Sequence, residues 1–260
     1  MNKALKYTIS ILLVALAITG FILFEVVRLE LVEDEVANPI LGRSIYYLLI
    51  AALFVWLQFI LGNSPYMSFK TLTLKNVLWC LPCLLVIIAN FPISALAKGS
   101  VTITRPDLIW LYTLYVIGIA LVEEIVFRGV MLFLMLEVFN NKKLKYFFSV
   151  LITSAVFSLF HLTNLFANMD IASVLLQMVY TFLIGAMLAI VTIKTKSIWM
   201  AVIIHAAFDF GGLLTVTIAR GDPWDNVFWI LTISCGILCA GHMLYSLYKM
   251  EKNNASRTTI

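Results

Sequence analysis

Eight apolar stretches, each near or above the roughly 20 residues needed to carry a helix across a bilayer, constrain this chain more than any other feature. They run approximately over 7–27, 44–62, 74–97, 108–136, 146–166, 171–193, 198–218 and 227–248. The connections are short and hold no soluble domain, repeat or low-complexity tract. Composition points the same way: 62% of residues are hydrophobic, 12% are charged and the mean hydropathy is +1.01, far outside the range of soluble domains. The expected fold class is therefore all-α. Residues 1–260 should form one polytopic helical bundle of about eight transmembrane helices, integral to the membrane, with a core of chemistry over about 108–218.

Loop charge sets the expected orientation. With a cytoplasmic N-terminus the inner segments hold 12 Lys and Arg and the outer ones 5 (Arg28, Arg43, Lys98, Arg105 and Arg220), with Arg128 inside a helix. The positive-inside rule then places both termini in the cytoplasm. Lys3 and Lys6 resemble the start of a signal peptide, but the apolar run after them is long enough to span, so an uncleaved first helix is expected. The basic residues are scattered, which argues against nucleic acid as a partner. Four cysteines are too few and too deeply placed for a disulfide framework, and Cys80-x-x-Cys83, Cys235 and Cys239 read as packing. Pro82 and Pro92 predict that the third stretch kinks or ends early.

Against this background Glu123, Glu124 and Arg128 stand out, because charge at bilayer depth is costly and marks a functional site by default. At about 100° per residue, Glu124 and Arg128 share a helix face and can pair, while Glu123 points away without that partner. One buried Glu-Arg pair alone would read as a lock between helices. A second, adjacent carboxylate has no place in such a lock.

Two more spans carry polar groups. In the fifth, Phe157, His161 and Asn164 lie on one side; in the seventh, His205 and Asp209 form an i, i+4 pair that can fix the ring's tautomer and orientation. Gly211 and Gly212 follow, small residues that let helices approach closely. At 1.5 Å per residue, Glu123, His161 and His205 all lie about 12 to 22 Å from the cytoplasmic ends of their helices, so they can meet at one depth. Together they amount to an acid-base site. His242, without an acidic neighbour, reads as structural.

Glu123-Glu124-x-x-x-Arg128, Phe157-x-x-x-His161 and His205-x-x-x-Asp209, in this order, resemble the three motifs of the CPBP (ABI) intramembrane proteases, which include the type II CAAX prenyl endopeptidases. The resemblance covers the fourth to seventh spans, and eight helices suit that family's fold. It implies hydrolysis of a peptide bond within the membrane by a water that a glutamate activates. Glu123 would be the general base, His161 its partner in holding the water, and Glu124 with Arg128 would set the geometry. His205 with Asp209 would steady the oxyanion or the leaving group, with Phe157 and Asn164 in support. The family has Asn or Asp at the last position, and an ionised Asp209 cannot donate to an oxyanion, which favours an orienting role towards His205, or a protonated Asp209, with His205 itself as the oxyanion donor.

The resemblance implies a membrane-bound or lipidated peptide as substrate, and location in the bacterial cell membrane. No cofactor is expected from it. On residues alone, two histidines and several carboxylates could hold zinc, though no HExxH is present. Two other functions fit the same buried groups: a proton-coupled transporter, and a non-catalytic immunity or scaffold protein of the same fold.

Overall fold

The computed structural model describes residues 3–26, 30–61, 64–167 and 169–258. Arg28, counted above among the outer basic residues, and the ends of the first two stretches at Val27 and Gly62 lie outside them. The chain is a polytopic helical membrane bundle. In order it forms α1 (Lys3–Val26), α2 (Ala37–Leu61), α3 (Leu74–Trp79), α4 (Leu81–Asn90), α5 (Ile93–Lys98), β1 (Val101–Ile103), α6 (Ile109–Glu124), a π-helical segment (Ile125–Met131), α7 (Leu132–Val138), α8 (Lys145–Phe160), a 3-10 turn (His161–Leu165), α9 (Ile171–Thr195), α10 (Ile198–Gly212), α11 (Leu214–Thr217), β2 (Ala219–Gly221) and α12 (Asn226–Thr258), with two further 3-10 turns over Ser64–Thr71 and one over Pro106–Leu108.

Each of the eight expected stretches is helical. Five spans among the described residues are long and apolar enough to cross a membrane: Ala37–Ile60, Leu81–Lys98, Lys145–Ala167, Ile171–Thr195 and Asn226–Ala255. Ile198–Gly212 is a shorter apolar helix. Trp56, Phe59, Val179, Leu183, Ile230 and Ile237 leave large apolar surfaces outside the bundle. On a soluble protein such a surface is a liability; on a spanning helix it meets lipid.

The third stretch is three helices, because its two prolines act as sequence breaks. Pro82 sits in the first turn of α4, where its missing N–H costs nothing, and Pro92 caps α5. The break at Phe91 and Pro92 receives α10. A Cβ added to Gly211 would lie 3.0 to 3.2 Å from Phe91 Cα, Asn90 O and Phe91 N, all backbone atoms that cannot swing aside. Gly211→Val is thus expected to lower the thermal midpoint in detergent, with an overpacking cost of about 1–3 kcal/mol.

One element is new relative to the sequence reading. β1 and β2 pair antiparallel, Thr102 opposite Arg220, and tie the loop before α6 to the loop after α11. α6 and α10 contribute the acidic and imidazole groups, so the ribbon fixes the far ends of the two site-bearing helices together. Beside it Arg105 bridges Asp34 and Asp107, both at 2.8 Å, and Asp225 binds Lys98 at 2.8 Å. These cations hold Asp34 and Asp225 well below the usual carboxylate range. A depressed carboxylate contributes stability above its unfolded pKa of about 3.9 and loses it as pH falls through the folded value. Limited proteolysis of the loops around residues 30–36 and 99–107 should therefore quicken as pH falls below about 4, and not between pH 5 and 8.

Packing near the site relies on small and hydroxyl residues. On α8, Ser149, Thr153 and Ser154 return their hydroxyls to carbonyls four residues back, at 2.7 Å each, which satisfies them and keeps the surface smooth. α9 can then lie close against α8. Without water to drive helices together, such close packing and internal hydrogen bonds hold a membrane bundle.

Candidate active site

Glu123 and Glu124 end α6, and the seven-residue π segment follows at once. A π segment carries an extra residue per turn and is often found at functional sites. Here it leaves Glu124 and Arg128 paired: Arg128 Nη1 donates to Glu124 Oε1 at 2.7 Å. Arg128 Nη2 donates to the Gly185 carbonyl of α9 at 3.2 Å. Gly185 needs to be small, since a Cβ there would lie 3.1 Å from the Phe157 ring. Both members of the pair are buried, Glu124 fully so.

The same Glu124 oxygen does a second job. His205 Nδ1 on α10 donates to Glu124 Oε1 at 2.7 Å. The other ring nitrogen, Nε2, lies 3.4 Å from Asp209 Oδ2 and 3.7 Å from Glu123 Oε2. His205 therefore links three carboxylates, and its orientation is fixed from both sides. The sequence reading gave Glu124 to Arg128 alone; the bond to His205 couples the first and third motifs directly.

His161 stands at the junction where α8 tightens into the 3-10 turn. Its Nδ1 meets the Phe157 carbonyl oxygen at 2.9 Å. A carbonyl only accepts, so Nδ1 carries a proton, and whenever the ring is neutral Nε2 is a bare acceptor. Phe157 is the pillar of the site. Its ring is 4.9 Å from that of His161, 6.0 Å from that of His205 and 4.4 Å from the Arg128 guanidinium. Edge-on imidazoles and a face-on cation suit the charge distribution of a phenyl ring.

The end of α10 is held by two polar side chains that the sequence reading did not single out. Asn90 Nδ2 donates to the Phe208 carbonyl at 2.8 Å, and Tyr112 Oη to the Phe210 carbonyl at 2.6 Å. Carbonyls of a last helical turn have no partner inside the helix, so these bonds satisfy them and fix the backbone that carries Asp209. Asn164, placed by sequence on the His161 side, gives its Nδ2 to Gln177 Oε1 of α9 at 2.7 Å. A glutamine within an apolar span was the signal that would have found Gln177.

The arrangement separates two kinds of carboxylate. Glu124 binds Arg128 and His205 through Oε1 alone, with Oε2 buried and without a hydrogen-bond partner among the described residues, whereas the Glu123 and Asp209 side chains stay 11% and 18% exposed. The two less buried acids face the same imidazole nitrogen. Among the described residues, no three or more His, Cys, Asp or Glu side chains are arranged to hold a metal ion. Cys80, Cys83 and Cys239 lie in the buried core around α9, and His242 packs against Trp79 at 4.8 Å, away from the site.

No curated protein and no solved structure matches the chain. Residues 105–211 match the family described as type II CAAX prenyl endopeptidase Rce1-like. That segment is somewhat under half of the chain and holds all six of Glu123, Glu124, Arg128, His161, His205 and Asp209, so over the part that carries the site the chain is similar to the type II CAAX prenyl endopeptidase Rce1-like family.

Proposed function

We propose that this protein is an intramembrane endopeptidase that hydrolyses a peptide bond of a membrane-associated peptide or protein. The observation that carries the proposal is the division of labour between adjacent glutamates: Glu124 is neutralised by Arg128 and bound to His205, while Glu123 makes no short hydrogen bond among the described residues and keeps a small part of its side chain exposed. In this reading a water is held between the Glu123 carboxylate and Nε2 of His161, each of which can accept a hydrogen bond from it. Glu123 removes one proton from it as the oxygen attacks the scissile carbonyl, and returns that proton to the leaving nitrogen. In this reading His205, steered by Glu124 and Asp209, steadies the oxyanion or the leaving group.

Buried acids and imidazoles also suit a proton-coupled transporter, but the wiring of Glu124 to two fixed donors favours a static site. The test compares the membrane peptides of cells carrying the wild-type chain with those of cells carrying His161→Ala. Cleaved peptides present only with the wild type are the expected result. Identical peptide profiles, with both proteins inserted at equal levels, would remove the protease reading.

A further inference from the structure

At the end of the bundle where α9 stops and α10 begins, one amide draws basic segments together. Asn76, in the first turn of α3, donates from Nδ2 to the Thr71 carbonyl at 2.8 Å and to the Thr195 carbonyl at 3.3 Å. Thr195 is the last residue of α9, so its carbonyl has no partner inside that helix. Each of the three joined residues has lysine beside it in the chain. Lys70 precedes Thr71, Lys75 precedes Asn76, and Lys194 and Lys196 flank Thr195. All four lysines are exposed, and among the described residues none has a salt-bridge partner. No Asp or Glu occurs in 68–78 or 192–199, so four positive charges are gathered without a countercharge from either segment. Gathering like charges is unfavourable unless something anionic offsets them.

Lys196 carries a second, independent mark. Its φ of 54° and ψ of 36° are left-handed, and among the described residues it is the one non-glycine residue with a positive φ. A Cβ is disfavoured there, and glycine or asparagine is usual at the end of a helix. A lysine held in that conformation supplies what glycine cannot, an ammonium group.

The neighbours set the depth of the cluster. Trp199, in the first turn of α10, stacks on Phe69 with ring centroids 4.4 Å apart and donates its indole N–H to the Met67 carbonyl. Tryptophan is enriched at the headgroup level of a bilayer. On α3, Leu74 and Leu78 lie on one face (i, i+4) and are 73% and 54% exposed.

We propose that Lys70, Lys75, Lys194 and Lys196 form a binding site for the headgroup of an anionic phospholipid, assembled by Asn76. The lipid phosphate meets the ammonium groups, and an acyl chain runs past Leu74 and Leu78 into the bilayer. Lysine binds phosphate as a point charge on a flexible stem, which suits a headgroup arriving from the plane of the membrane. The site is distinct from the Glu123 cluster and does not depend on peptide hydrolysis.

Native mass spectrometry of the full chain in detergent, with phosphatidylglycerol and phosphatidylcholine of the same acyl chains, tests the proposal. The wild type is expected to retain phosphatidylglycerol in preference. Each Lys→Gln change among the four should weaken that retention by about fivefold. Lys142→Gln, Lys143→Gln, Lys249→Gln and Lys252→Gln together remove as much charge from the same end of the bundle and should leave it unchanged. Asn76→Ala keeps all four charges and should still weaken retention, because the segments are no longer joined. Lys196→Gly should bind more weakly yet melt no lower than the wild type in phosphatidylcholine nanodiscs, since glycine accepts a positive φ without strain. Equal retention of the two lipids by the wild type would overturn the inference. So would wild-type retention by the variant lacking all four lysines or by Asn76→Ala, or an equal loss in the Lys142, Lys143, Lys249 and Lys252 variant, which would mean attraction spread over the whole face.

Discussion

Glu123→Gln is expected to reduce kcat for peptide cleavage by about 10²–10⁴-fold, the contribution of a positioned general base. Its thermal midpoint should stay near that of the wild type. Both halves follow from the geometry. Glu123 has no short ion pair, its nearest ionic partner being His205 Nε2 at 3.7 Å, so an isosteric amide strands no buried charge. The same amide cannot take a proton from water. Single-turnover cleavage and a melting curve on the same purified sample in nanodiscs check the pair of outcomes. A loss of kcat at constant KM would mark an interaction made only in the transition state.

The second large effect is the opposite in character. Glu124→Leu leaves the Arg128 charge buried and His205 Nδ1 without its acceptor. Removing one partner of a buried pair costs about 3–5 kcal/mol, so this variant should melt far below the wild type and have no activity. Adding Arg128→Met removes the stranded charge. Apolar replacement of a whole buried pair is often neutral, so the double variant should regain most of the lost stability. It should not regain turnover, because His205 is still unsupported. A double variant that recovers both would mean that the pair is only a lock between helices.

The two variants also show which parts of the molecule could be read from the residues alone. Hydrophobic length located the apolar helical stretches, five of which are long enough to cross a membrane among the described residues, since a spanning segment must satisfy its backbone within itself. Helical spacing paired Glu124 with Arg128 and His205 with Asp209, because i, i+4 contacts are local. What spacing could not supply was anything between distant segments. The Glu124–His205 bond spans 81 residues, and the Asn90 and Tyr112 bonds to α10 span 118 and 98. The π segment was equally hidden: Arg128 marks Ile125–Met131 as unusual, but nothing in its spacing distinguishes a π turn from an α turn. The three-residue strands β1 and β2 are too short for a period-2 pattern to emerge.

The most direct test of the central claim is an experimental structure in lipid, at a resolution that places ordered water. An oxygen within about 3.2 Å of both the Glu123 carboxylate and His161 Nε2 is the predicted result, with Glu124 still bound to Arg128 and His205. A Glu123 carboxylate turned towards lipid, or a His161 Nε2 occupied by a protein donor, would contradict it.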